Sequence, residues 1–117
     1  MSSPRDERFL LADIGMAIAA IGSFVSGHDA ERYFDDDLVR SAVERKFEII
    51  GEALNGLNRL RPHLAQRIRG FREIIAFRNI LAHGYASVDH GIVWRVIVED
   101  LPALRATVDA LLEEFGR

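Results

Sequence analysis

Apolar residues recur at spacings of three and four along almost the whole chain, which is the pattern of amphipathic α-helices. No stretch shows the apolar–polar alternation of a half-buried strand. With 117 residues, the chain has the usual size of one domain. We therefore predict a single all-α domain over residues 1–117, an up-and-down bundle of four to five helices. The stripes predicted to face the core are Leu10, Ile14, Ala17, Ile18, Ile21, Phe24 and Val25, then Val39, Val43, Phe47, Ile50, Leu54 and Leu57, and finally Val93, Ile97, Leu101, Leu104, Val108, Leu111 and Phe115.

Capping and helix-breaking residues give the expected ends of these helices. Ser3 followed by Pro4 predicts the start of the first helix, and Gly27 predicts its end near Ser26. The three aspartates at 35–37 point in different directions on a helix, so a capping role is favoured over a magnesium site. The other predicted elements are a second helix from these aspartates to about Leu60, a short turn of helix over residues 62–68, a third helix from Phe71, and a fourth from Asp89, with a kink or break at Pro102 and Asp100 as its local cap.

The composition favours a cytoplasmic protein. The chain has no cysteine, so it can form neither a disulfide nor a thiolate site, which fits a reducing compartment. Its first residues carry charge where a signal peptide has an apolar run. The longest apolar stretch, residues 14–25, is shorter than the about 20 residues that a membrane-spanning helix needs. We expect no association with a membrane.

The charges are distributed unevenly along the chain. Residues 59–83 carry six arginines against the single acid Glu73, whereas the rest of the chain holds nine bases and 17 acids. A local basic band can bind phosphates whatever the net charge, because clustered cations displace counterions from a polyanion. The alternative is a solvated helix face whose arginines pair with acids elsewhere in the fold.

One arginine stands where the helical pattern reserves a place for an aliphatic residue. The apolar face of the third helix is centred on Arg78, and a charge at such a position marks either a buried ion pair or a functional site. On the second helix, Glu44, Glu48 and Glu52 are spaced four residues apart. Like charges at this spacing repel by roughly a few tenths of a kcal/mol per pair, so we expect cations beside them. Gly51, in the middle of the same helix, predicts a close approach by another helix.

Residues 78–85, RNILAHGY, bring a guanidinium, an imidazole and a phenol together near the expected end of the third helix. His83 follows Arg78 by five residues, so on an ideal helix their directions differ by about 140°. The two side chains can reach one substrate if the helix ends at His83, which Gly84 favours. They can also do so if two copies of the chain form a shared cleft.

These residue types suit the cleavage of RNA phosphodiester bonds without a metal ion. A histidine can take a proton from a ribose 2′-hydroxyl or give one to the leaving oxygen, and an arginine can stabilise the charge on phosphorus. The structural alternative is that Arg78 pairs with Glu48 or Glu52, His83 caps a helix and Tyr85 packs. The four histidines lack metal-ligand spacing, so we predict neither a metal nor a cofactor. They are His28, His63, His83 and His90, of which His63 and His90 are expected on the surface or in loops.

The motif resembles the Arg-x4-His-x-Tyr signature of HEPN-domain proteins, specifically the HepT-like toxin family. The segment 47–53, FEIIGEA, is similar to the second-helix motif of that family, and Val93-Trp94 with residues 100–102 resembles its last helix. The resemblance covers roughly residues 8–115. It implies an all-helical homodimer that acts as a ribonuclease toxin on tRNA or mRNA.

The resemblance also implies roles for individual residues. Arg78 and His83 match the catalytic positions that line a cleft between protomers, and Asn79 and Glu48 are expected to support them. Tyr85 matches the tyrosine to which an MntA-like nucleotidyltransferase antitoxin transfers AMP. Bulk and negative charge added there would block a phosphate site.

Within the basic band, Arg69 and Arg72 are the expected RNA contacts. The competing interpretation is a non-catalytic helical module that partners a minimal nucleotidyltransferase and does not cut RNA.

Overall fold

The computed structural model describes residues 6–83 and 88–116. Within these ranges the chain is helical and contains no strand, which confirms the all-α prediction. The elements are α1 (Glu7–Phe24), α2 (Ala30–Asp35), α3 (Asp37–Leu60), α4 (Pro62–Ala65), α5 (Phe71–His83), α6 (His90–Arg95), a π-helical segment (Val96–Asp100) and α7 (Leu101–Phe115).

Helix α3 is the central element of the fold. Helices α1, α2, α4 and α5 all pack against it, and α1 also packs against α7. Every residue of the three predicted apolar stripes is buried or partly buried, as the periodicity requires. Each fully buried aliphatic or aromatic side chain contributes roughly 1.5–3 kcal/mol to the hydrophobic stabilisation. None of the described helices is long and apolar enough to span a membrane.

Aspartate side chains cap the starts of several helices. A carboxylate oxygen of Asp36 accepts the backbone N–H of Val39 at 3.1 Å, which confirms the capping role for the middle one of the three aspartates at 35–37. The expected first-helix cap, Ser3 with Pro4, lies outside the described residues. The observed cap of α1 is Asp6, whose carboxylate accepts the backbone N–H of Phe9 at 3.2 Å.

Helix α2 was not predicted, because the sequence indicated only a short connection between the first two long helices. Its single buried residue is Tyr33, so six residues give no readable periodicity. Gly27 has φ +79°, the left-handed conformation expected after α1, although α1 itself ends at Phe24. His28 Nε2 lies 3.0 Å from an oxygen of Asp36 and so joins this connection to the start of α3.

The sequence predicted a kink or a break at Pro102, but the helical path continues through this residue without a break. Proline has no N–H, and its ring clashes with the carbonyl four residues earlier in a regular α-helix. Here a π-helical turn precedes it, in which the Leu101 N–H donates to the carbonyl of Val96, five residues back. The wider turn accommodates the proline within a continuous helical path. Asp100 occupies the N-cap position of α7, but the prediction that it caps the helix is wrong for its side chain, which makes no capping hydrogen bond.

Candidate active site on helix α5

Arg78 lies at a close approach of α5 to α3. A Cβ atom built on Gly51 of α3 would stand 2.2 Å from the Cβ and 2.5 Å from the Cγ of Arg78, closer than real Cβ contacts come. The ring of Phe77, the residue before Arg78, packs edge to face against the ring of Phe47 on α3, with ring centroids 5.2 Å apart. The mid-helix glycine therefore marks a close helix approach, as predicted.

The guanidinium of Arg78 is held at both of its terminal nitrogens. Nη2 donates to Glu52 Oε1 at 3.0 Å, and Nη1 donates to Asn79 Oδ1 at 3.0 Å. Of the two glutamates considered as partners, Glu52 makes the ion pair, while the supporting role expected for Glu48 stays a prediction. The side chain of Arg78 is 26% exposed, so its charge is partly desolvated but still accessible from the surface.

His83 is exposed and lies at the far end of α5 from Phe71. Because both motif residues belong to one continuous helix, their directions differ by about 140° and their positions along the axis by about 7.5 Å. Among the described residues nothing joins Arg78 to His83. Gly84 and Tyr85, the rest of the motif, lie outside the described residues.

Ion pairs divide the basic band into two groups. Arg61 Nη1 lies 2.8 Å from Glu7 Oε1, and Arg67 forms a pair with Glu114. Arg61, Arg67 and Arg78 therefore agree with the alternative prediction, in which arginines of the basic band pair with acids elsewhere in the fold. Arg59, Arg69 and Arg72 make no ion pair in the described part of the chain.

The two arginines predicted to contact RNA are both exposed, but their surroundings differ. The guanidinium carbon of Arg72 lies 5.0 Å from the centre of the Phe71 ring, a cation–π contact at the start of α5. Arg69 lines a groove of about 810 Å³ between α5 and the π-helical segment with α7. Its apolar lining includes Phe47, Phe77 and Leu101, and its other charged residues are Glu73 and Asp100.

A second polar cluster, which the sequence did not reveal, joins α2, α3 and α6. His90 Nδ1 lies 3.8 Å from Glu44 Oε2, and the hydroxyl of Tyr33 is buried without a hydrogen-bond partner in the described structure. Burial raises the pKa of Glu44, and burial together with the Glu44 charge raises the pKa of Tyr33. His90 was expected at the surface or in a loop but is the partly buried first residue of α6. His63, by contrast, is exposed as expected.

The acidic ridge of α3 meets a cation at Glu52, where its like charges led us to expect one. Glu52 contacts Arg78 and Glu44 contacts His90, so the first and last acids of the ridge each face a basic side chain. Within residues 6–83 and 88–116, no group of three or more histidines and carboxylates is placed to hold a metal ion.

A protein-family model described as "Ribonuclease HepT-like" matches residues 14–111 of the chain. The chain belongs to the HepT-like ribonuclease family. This match confirms the family resemblance drawn from the motif and from the segments on α3 and α6–α7.

Two curated relatives of similar length carry corresponding names. A Thermococcus cleftensis protein named "Probable ribonuclease HepT" is 33% identical over 111 residues, which is 92% of this chain and 96% of that protein. A Methanocaldococcus jannaschii protein named "Putative RNase MJ1380" is 30% identical over 107 residues, covering 92% of this chain and 97% of that protein. No solved structure gives a significant match.

Proposed function

We propose that this protein is a ribonuclease in which Arg78 and His83 cleave RNA without a metal ion. The observation that carries the proposal is the seating of Arg78: a guanidinium on the apolar side of α5, anchored to Glu52 and five residues before an exposed histidine. Membership of the HepT-like ribonuclease family and the ribonuclease names of two relatives support the same activity.

The reaction needs only groups that these side chains supply. A histidine removes the proton of the ribose 2′-hydroxyl, the 2′-oxygen bonds to phosphorus, and the bond from phosphorus to the 5′-oxygen breaks. The leaving 5′-oxygen takes a proton from a second imidazole. The Arg78 guanidinium stabilises the negative charge that builds on the phosphate oxygens. The products are a 2′,3′-cyclic phosphate and a 5′-hydroxyl.

A homodimer would assemble this set of groups. Arg78 and His83 diverge on one α5 helix, whereas two α5 helices facing each other present two arginines and two histidines to a single phosphate. Ile80, which lies between them in the sequence, is 54% exposed, an apolar residue that a second copy could cover. One imidazole would then accept the proton and the other would donate one.

The biological role that follows is that of a toxin in a toxin–antitoxin system. Its partner would be an MntA-like nucleotidyltransferase that transfers AMP to Tyr85 and so adds negative charge beside the phosphate site. The competing function, a non-catalytic module that only binds such a nucleotidyltransferase, leaves RNA intact.

The direct test is the chemistry of the RNA ends that the purified protein produces in EDTA. We expect cleavage to continue under chelation, with 2′,3′-cyclic phosphate and 5′-hydroxyl ends, and to stop at a position where the ribose is replaced by 2′-deoxyribose. Cleavage that disappears in EDTA, or that leaves 5′-phosphate ends, would overturn the metal-free mechanism. Intact RNA under all conditions would favour the non-catalytic module.

A further inference from the structure

The position of Arg78 depends on a glycine of the neighbouring helix. Any side chain at Gly51 would place its Cβ 2.2 Å from the Cβ, 2.5 Å from the Cγ and 3.4 Å from the Cδ of Arg78. The first three carbons of the arginine side chain therefore lie directly against the α3 backbone. Since protein interiors are close-packed, a methyl group at this point has to push Arg78 or the whole of α5 away.

The residue after this glycine orients the other end of the same side chain. Glu52 Oε1 accepts a hydrogen bond from Arg78 Nη2, while Asn79 occupies one N–H of Nη1. Each terminal nitrogen of a guanidinium carries two N–H groups, so one N–H remains on each of them. Arg78 Nε is buried and has no partner in the described structure, which indicates that the guanidinium approaches a ligand through its terminal nitrogens.

We propose that Gly51 and Glu52 are positioning residues for Arg78. Gly51 lets the aliphatic part of Arg78 lie against α3, and Glu52 fixes the rotation of the guanidinium so that its free terminal N–H groups face the scissile phosphate. This inference rests on the proposed ribonuclease function. Neither residue touches the RNA; both act through Arg78.

The same helix supplies a matched control for each substitution. Gly56 is also a glycine of α3, but a Cβ there would meet only the Leu10 methyl groups at an ordinary 3.6 Å, with an Arg59 nitrogen at 4.0 Å. Glu44 is also a glutamate of α3 paired with a base from a later helix, in this case His90. The pairs Gly51→Ala with Gly56→Ala, and Glu52→Gln with Glu44→Gln, change the same atoms on the same helix.

The activity arm compares steady-state RNA cleavage by these variants. Because catalytic groups displaced by about 1 Å can lose on the order of a hundredfold in rate, we expect Gly51→Ala to lower kcat by about a hundredfold and Glu52→Gln by about tenfold. The KM for RNA should change little, since other arginines bind the substrate. Gly56→Ala and Glu44→Gln should cleave as wild type does.

A cycle with Arg78→Lys tests whether Glu52 acts through Arg78. Lysine keeps a charge but lacks the planar fork, so Glu52→Gln should have no further effect on kcat in the Arg78→Lys background. An equal loss in both backgrounds would overturn the proposal. A faster Glu52→Gln enzyme would overturn it too, because Glu52 would then be competing with the phosphate for Arg78.

A readout that does not need activity is the ¹⁵N NMR signal of the Arg78 guanidinium. Its Nε–H is buried, so its signal should be protected from exchange in wild type and in Glu44→Gln, and should shift and lose protection in Glu52→Gln. An unchanged signal in Glu52→Gln overturns the proposal even if the protein is an active ribonuclease. Conversely, if the signal shifts in Glu52→Gln but the wild-type protein cleaves no RNA, the proposed function is overturned. That result still supports the positioning of Arg78 by Glu52.

Discussion

Arg67 and Glu114 form a two-pronged ion pair, with Nη1–Oε1 at 3.0 Å and Nη2–Oε2 at 2.5 Å. This contact joins the turn after α4 to the last turn of α7. Hydrogen bonding to Glu114 raises the pKa of Arg67, so the arginine stays charged but its fork is occupied. Arg61 is also paired, through a single hydrogen bond from Nη1 to Glu7 Oε1 at 2.8 Å. The basic band is therefore partly a set of structural ion pairs.

From this division we predict which arginines bind RNA. The double substitution Arg69→Ala with Arg72→Ala should weaken RNA binding and reduce its salt dependence. If each arginine contacts one phosphate of a single strand, the slope of log K against log salt falls by about 1.4. The measurement is fluorescence anisotropy of a labelled RNA across a salt series. The background is the His83→Ala variant, which we expect to bind RNA without cutting it.

The matched control is Arg61→Ala with Arg67→Ala, which removes the same charge from the paired arginines. Exposed ion pairs stabilise a fold by only about 0–1 kcal/mol, so this variant should remain folded. Its salt slope should equal that of the parent. A slope that falls equally in both double variants would show that the band binds RNA through its net charge alone.

The sequence predicted those parts of the fold in which buried apolar side chains recur at a regular spacing. Burial recurs every three to four residues on α1, α3 and α7, and their apolar stripes follow this period from end to end. Helix α2 escaped prediction because six residues with one buried side chain contain no period. The π-helical segment escaped because Pro102 signals a disturbance of the helix without specifying its form.

At the candidate site, the sequence singled out Arg78 and gave Glu48 or Glu52 as its partner, without deciding between the two. Glu48 and Glu52 lie one turn apart, so periodicity places both near the neighbouring helix. The choice between them depends on where α3 and α5 cross, and the contact at Gly51 sets that crossing. The link between Glu44 and His90 was missed for a related reason, since it joins residues far apart in the chain and neither belongs to the motif.

Asp36 should make stability depend on pH in the acid range. The hydrogen bond from His28, with that from the Val39 N–H, lowers the pKa of Asp36 in the folded protein. The unfolded chain therefore binds the proton first, and the stability that Asp36 contributes is present above about pH 4 and lost as the pH falls through the folded-state pKa.

This dependence is measured by urea denaturation between pH 3 and pH 6. Asp36→Asn keeps an oxygen for the helix cap but carries no charge, so its deficit relative to wild type should shrink as the pH falls. Asp36→Ala also loses the cap and should be the less stable variant at every pH. A deficit of Asp36→Asn that does not vary with pH would contradict the assignment.

Tyr33→Phe should stabilise the protein. The hydroxyl of Tyr33 is buried without a partner among the described residues, and leaving such a group unsatisfied costs about 1–3 kcal/mol. Phenylalanine keeps the ring that packs against Trp94, whose centroid is 5.3 Å away. We expect the free energy of unfolding to rise by about 1 kcal/mol, measured by chemical denaturation at neutral pH.

The dependence of protein stability on pH in the alkaline range gives a second test of the Tyr33 hydroxyl. Because the pKa of Tyr33 is raised in the folded state, the wild type should lose stability above about pH 10, and Tyr33→Phe should lose less. Tyr33→Leu, which removes the ring contact with Trp94, serves as the control and should be destabilised. A less stable Tyr33→Phe would mean that the hydroxyl has a bonding partner after all.

Tyr85 should be the acceptor of AMP. Incubation with an MntA-like nucleotidyltransferase and ATP should raise the intact mass by one or more AMP units and abolish RNA cleavage. Tyr85→Phe should gain no mass and should stay active in the presence of the partner. The only other tyrosine, Tyr33, is buried and so is inaccessible to the transferase. An unchanged wild-type mass, or an equal gain in Tyr85→Phe, would remove this mode of regulation.

The measurement that tests the account most directly is the single-turnover rate of RNA cleavage in EDTA by Arg78→Ala and His83→Ala. Loss of a proton-transfer group or of the group that stabilises transition-state charge should slow each variant by about a hundredfold or more. His63→Ala and Arg61→Ala, which change an exposed histidine and an arginine paired with Glu7, should retain the wild-type rate. Circular dichroism establishes that each variant is folded. If folded Arg78→Ala or His83→Ala cleaves RNA as fast as wild type, the active site lies elsewhere.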